Sequence, residues 1–84
     1  MKRIVVHDTG GPERLTLEDA PTPEPGPAEA LVALEASGVN FIDVYFRTGL
    51  YQAERPIAIG HEGAGVVERV GRDVTDVKPG DRVA

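Results

Sequence analysis

Glycine and proline set the first limit on what this chain can fold into. With 10 glycines and 7 prolines in 84 residues, it is cut into short pieces. Each proline removes a backbone donor, and each glycine weakens the interior of a helix or strand. Long helices are thereby excluded, and most of the pieces read as short strands closed by turns. The size allows one small domain with a modest buried fraction. Near the start, Ile4, Val5 and Val6 are the whole of an apolar run that His7 and Asp8 interrupt. That is too short for a signal-peptide core or a membrane span, so the chain is expected to be soluble, unprocessed and cytoplasmic. A net charge of −5 argues against a nucleic-acid surface, and the lack of any cysteine removes disulfides and thiolate metal sites.

Taken in order, residues 3–7 form a β-branched first strand ended by Asp8-Thr9-Gly10-Gly11-Pro12. Residues 15–19 alternate apolar and polar with period two, which predicts a second strand paired with the first as a hairpin, Leu15 and Leu17 facing inward. Residues 20–27 carry four prolines and can hold neither a helix nor a central strand. A linker or a polyproline ligand would have this composition, but strand-like sequence resumes at once, so a long connection inside one domain is the reading taken. Residues 29–36 contain good helix formers, and Leu31 and Leu34 fit neither period cleanly. Their length between Gly26-Pro27 and Ser37-Gly38 favours a strand.

A single helix is predicted next. Asn40 is a favoured N-cap, Asp43 stands three places on where its charge suits a helix start, and Gly49 ends helices in a left-handed turn. Val39, Ile42 and Phe46 recur at helical spacing, giving about two and a half turns. Beyond a polar loop, Val66, Val67 and Val70 read as a strand, with the glycines before them marking bends or close backbone approach. Lys78-Pro79-Gly80-Asp81 is a turn, and residues 82–84 begin another strand.

Gly60-His61-Glu62-Gly63-Ala64-Gly65 reverses the order of the dinucleotide fingerprint and has no helix after it, so these glycines are read as structural. His61 beside Glu62 has the form of an imidazole oriented by a neighbouring carboxylate, as at catalytic zinc, but His7 is the only other histidine and no metal site is expected. Asn40, Asp43, Tyr45 and Tyr51 support two readings at this point. They are a helix cap with two amphipathic packing residues, or they line a cleft where an amide and two phenols hydrogen-bond a carbonyl-bearing substrate.

Gly38-Val39-Asn40-Phe41-Ile42-Asp43, Arg47-Thr48-Gly49-Leu50-Tyr51, Glu62-Gly63-Ala64-Gly65-Val66-Val67 and Gly80-Asp81-Arg82-Val83 follow one another in an order that resembles the quinone oxidoreductases. These form the zeta-crystallin family of the medium-chain dehydrogenase/reductase superfamily. The resemblance spans essentially the whole chain. It implies a mainly β, GroES-like bent barrel with one short helix over residues 1–84, incomplete at its C-terminus and lacking the Rossmann domain that holds NADPH in the family.

It also implies that Asn40 stands where zinc-dependent alcohol dehydrogenases have a cysteine ligand, which argues for the zinc-free branch. Phe41, Ile42, Asp43, Val44 and Tyr45 resemble the segment that approaches the nicotinamide, while Tyr45 and Tyr51 resemble tyrosines lining the substrate cleft, and Asn40, Tyr45 and Tyr51 are the expected catalytic residues. The expected parent is a homodimeric NADPH-dependent reductase of a quinone or enone, the isolated chain being inactive. Two alternatives are a fragment of a zinc-dependent alcohol dehydrogenase, since Gly60-His61-Glu62 is the form those enzymes use, and a free-standing small barrel acting as an interaction module.

Overall fold

The computed structural model describes all of residues 1–84. Its elements are β1 (Lys2–Val6), a 3-10 turn (Pro12–Arg14), β2 (Thr16–Asp19), β3 (Ala30–Ala36), α1 (Phe41–Thr48), β4 (Ile57–Ala58), β5 (Ala64–Val70) and β6 (Arg82–Val83). The chain is therefore mainly β with one short helix, as the sequence implies. The strands make two antiparallel three-stranded sheets, β2-β1-β4 and β3-β5-β6. Two compact units result, one of Met1–Pro21 with Val39–His61, the other of Thr22–Gly38 with Glu62–Ala84.

In the first unit β1 and β2 form the expected hairpin, with Ile4 opposite Leu17 and Val5 opposite Thr16. The short strand β4 adds to the other edge of β1 and sets Ile57 beside Val6. Val5, Val6 and Ile57 are the buried apolar residues here. Leu15 and Leu17 do not face inward: both are exposed, Leu17 by 63%. A period-two pattern says which residues share a face, but the rest of the chain decides which face is covered. Here the Ile4–Leu17 pair lies on the open side. Val39 is likewise no part of a buried helix face, being 94% exposed and ahead of the first helical residue.

The second unit is built around backbone contact. β3 pairs with β5 with register shifts at Leu31/Val32 and Leu34/Ala36. These irregularities account for a leucine spacing that matched neither period, because each shift changes which residues share a face. Val67 is its buried apolar residue. Gly65 lies so near β3 that a Cβ there would stand 2.0 Å from the Ala33 carbonyl oxygen, and one at Gly71 would stand 2.0 Å from that of Gly26. The close approach expected for the glycine run is thus found at Gly65. Gly60 instead takes a positive φ of 126° in the loop that precedes β5.

The proline-rich segment is tied down along its second half. Asp73 N–H donates to the Pro27 carbonyl at 2.9 Å, Gly71 N–H donates to that of Glu29 at 2.8 Å, and Arg69 pairs with Glu24 at 2.7 Å. Residues 20–21 belong to the first unit and 22–27 to the second, so the segment is the chain's passage from one unit to the other. At the Lys78–Asp81 turn the Asp81 carboxylate accepts the Lys78 backbone N–H at 3.0 Å, and this bond, then that from the Lys78 ammonium, holds its pKa below the usual range.

Candidate functional site

The residues singled out for chemistry are Asn40 at the N-cap of α1, residues on α1 itself, Tyr51 just past its end, and His61 and Glu62 between β4 and β5. The helix starts where the cap residues predict. Asn40 and Asp43 form a capping box in which Asn40 N–H donates to Asp43 Oδ2 at 3.0 Å. It stops at Gly49, whose φ of 90° is readily available only to glycine. Between these ends the apolar positions Ile42, Val44 and Phe46 are half-buried, and the one fully covered residue is the charged Asp43, 8% exposed.

A buried carboxylate needs partners, and Asp43 has two. Oδ2 takes the Asn40 N–H, while Oδ1 lies 2.8 Å from His61 Nδ1. The Asn40 bond, and after it the His61 bond, hold the Asp43 carboxyl below the ordinary carboxylate range in spite of burial. Asp43 is therefore an anion at neutral pH and can only accept, which makes His61 Nδ1 a donor. The imidazole is oriented by a carboxylate, as its sequence context suggested, but the partner found is Asp43, 18 positions away, rather than the adjacent Glu62.

Aromatic rings continue the site. His61 stacks on Phe46 with centroids 5.1 Å apart and planes inclined by 25°. Phe46 meets Tyr51 edge-on at 5.7 Å, Tyr51 meets Tyr45 at 5.3 Å, and Tyr45 meets Phe41 at 5.4 Å. The helical spacing of Phe41 and Tyr45 gives the last of these contacts. Tyr51 is folded back by its N–H, which donates to the Tyr45 carbonyl at 3.2 Å after the Gly49 turn. Phe41, 72% exposed, is one end of this series and His61, 41% exposed at its side chain, is the other, with Tyr51 between them and 46% exposed.

The structure thus brings Asn40, Asp43, Tyr45, Tyr51 and Phe41 into one cluster, with Ile42 and Val44 as half-buried neighbours on the helix. His61 and Phe46 join it without having been assigned to the site from sequence. The signal for His61 was its pairing with a carboxylate; for Phe46 there was only its place on the helix. The cluster offers one oriented imidazole, one carboxylate bonded to it, one amide and two phenols. It can hydrogen-bond a carbonyl oxygen and stack a planar ring, and it contains no activated hydroxyl or thiol nucleophile. No group of three His, Asp or Glu residues comes together in a metal-ligand set, and no helix is long and apolar enough to cross a membrane.

The fold and this site define a class. Residues 26–84 match the alcohol dehydrogenase GroES-like domain, and the chain belongs to that family, within the medium-chain dehydrogenase/reductase superfamily. It is 54% identical over 84 residues to a quinone oxidoreductase of Pseudomonas aeruginosa, covering 99% of this chain and 26% of that protein. Human sorbitol dehydrogenase is 45% identical over 85 residues, covering 96% of this chain and 23% of that protein. The crystal structure of an Escherichia coli quinone oxidoreductase complexed with NADPH superimposes with a TM-score of 0.95 at 42% identity, over 98% of this chain and 26% of that one. The chain spans about a quarter of the length of these relatives.

Proposed function

We propose that residues 1–84 are the substrate-side, N-terminal GroES-like domain of an NADPH-dependent quinone oxidoreductase, transferring hydride from NADPH to a quinone or other activated carbonyl. The observation that supports this most is the aromatic and polar cluster on α1, in a chain that is 54% identical to one quinone oxidoreductase and superimposes on another with a TM-score of 0.95. NADPH supplies the hydride in this reading. The residues present suit only its nicotinamide end: Phe41 is an exposed ring at the start of α1 in edge contact with Tyr45, and Ile42 and Val44 follow it on the helix half-buried, whereas the glycine run has the wrong order to cradle a dinucleotide pyrophosphate. Asp43 contributes from beneath, by fixing the helix start and His61.

Asn40, Tyr45 and Tyr51 then have the roles of orienting the acceptor and donating hydrogen bonds to the oxygen on which charge develops. In the same reading the enzyme is zinc-free, cytoplasmic and homodimeric, and the isolated chain has no reductase activity. The reading is tested by assaying the longer oxidoreductase that carries these residues, and the 84-residue chain, for quinone-dependent NADPH oxidation. Turnover by the former and none by the latter is expected; no turnover by either sinks the proposal.

A second reading is a zinc-dependent alcohol or polyol dehydrogenase, favoured by the likeness to sorbitol dehydrogenase and by Gly60-His61-Glu62. Against it, Asn40 replaces a thiolate with an amide oxygen, a far poorer zinc ligand. Stoichiometric zinc in the purified enzyme, with oxidation of a polyol, would favour this second reading over the first.

A further inference from the structure

Reduction of a quinone by hydride leaves one proton to be delivered to oxygen. Hydride and its electron pair convert the quinone to a hydroquinone monoanion, and one proton on oxygen completes the product. Resting on the proposed quinone-reductase reading, we propose that His61 is the donor of that proton and that Asp43 is its positioning residue. Asp43 Oδ1 lies 2.8 Å from Nδ1 and occupies that nitrogen as a donor, so Nε2 is the nitrogen left for chemistry. The stack on Phe46 fixes the plane of the ring, and through Phe46 the imidazole is joined to Tyr51 and Tyr45.

The partial exposure of the side chain supplies the other half of the cycle. In the forward step the bond from Nε2 to its hydrogen breaks and a bond from that hydrogen to the hydroquinone oxygen forms. Solvent then returns a proton to Nε2, which a 41% exposed side chain allows. The two electrons come from NADPH and His61 is unchanged overall. Asp43 on α1 is the titratable group bonded to the imidazole; the ring stacked on it is Phe46, beyond which Tyr51 and then Tyr45 follow in the ring series, and Glu62 is next in the chain. With the Nδ1 hydrogen committed to Asp43, a hydrogen on Nε2 means the imidazolium form, and that form is the one that donates.

The experiment uses the full-length oxidoreductase carrying these residues, with NADPH and a soluble benzoquinone. If wild-type enzyme does not turn over, the quinone-reductase reading fails and this proposal goes with it. Given turnover, His61→Gln is expected to lower kcat by roughly 100-fold or more with KM changed by less than about threefold. It should also abolish the alkaline limb of the wild-type kcat profile, which reports loss of the imidazole proton. Asp43→Asn should lower kcat less and shift that limb.

A His61→Gln enzyme within about threefold of wild type, or one that is slower with its pH profile unchanged, overturns the proposal while leaving the quinone reading standing. Should that variant not fold, the wild-type profile decides. A kcat flat over about pH 5 to 9, with no solvent deuterium isotope effect, overturns the assignment, and a limb accompanied by an isotope effect supports it.

Discussion

The two units solve the same problem of marginal size by different means. Met1–Pro21 with Val39–His61 buries side chains: Val5, Val6 and Ile57 form its apolar centre, and Asp43 is covered with both oxygens hydrogen-bonded. Thr22–Gly38 with Glu62–Ala84 buries one large apolar side chain, Val67, and gains closeness by removing side chains at Gly65 and Gly71. The difference shows where chemistry is tolerated. A packed set of side chains can include a satisfied carboxylate and present an imidazole from it, whereas a backbone-to-backbone contact leaves no room for a functional group.

The sharpest way to break this comparison is Gly71→Ala. The added Cβ would meet the Gly26 carbonyl oxygen at 2.0 Å and the Pro27 carbonyl oxygen at 2.4 Å, both of them backbone atoms that cannot rotate away. A loss of about 3 kcal/mol is expected from urea unfolding, at the upper end for overpacking. Hydrogen exchange should localise it, with lost protection at Gly71 and Asp73, whose N–H groups bond the same segment. An effect below about 0.5 kcal/mol would mean that this unit is held by its side chains after all.

Asp43→Asn probes the first unit and is expected to have the next largest effect, about 1–2 kcal/mol at neutral pH, through a weakened capping box and a weakened bond to His61. Its pH dependence gives the sign. The carboxyl is held below its ordinary value in the folded chain, so its contribution is fully present above the unfolded value of about 4 and is lost as pH falls through the lowered folded value. Wild type and Asp43→Asn should therefore converge in stability under acid. Parallel acid limbs in thermal or urea unfolding would remove Asp43 from the set of groups that stabilise this unit.

Leu17→Thr should have the smallest effect, within about 0.5 kcal/mol by thermal unfolding, since this leucine lies on the exposed face of the hairpin and threonine suits a strand. A loss above about 2 kcal/mol would restore the inward assignment that its alternation suggested.

What the amino-acid sequence determined by itself is the local structure. A capping asparagine with an acidic residue three places on, a glycine past the last turn, β-branched runs and Lys78-Pro79-Gly80-Asp81 act through neighbouring backbone groups, so their consequences were legible without a fold. The helix start at Asn40, its end at Gly49 and the β1–β2 hairpin all follow from them. Only the tertiary structure decided which sheet face is covered, that Gly71 meets Gly26 and Pro27, and that the carboxylate orienting His61 is Asp43. Each of these joins residues distant in sequence, and a local pattern carries no information about which distant partner chain folding brings into contact. The candidate site was therefore half readable: its helix and its tyrosines stood in one stretch, while the imidazole and the anion beneath it met only when β4 paired with β1 and carried the following loop back toward α1.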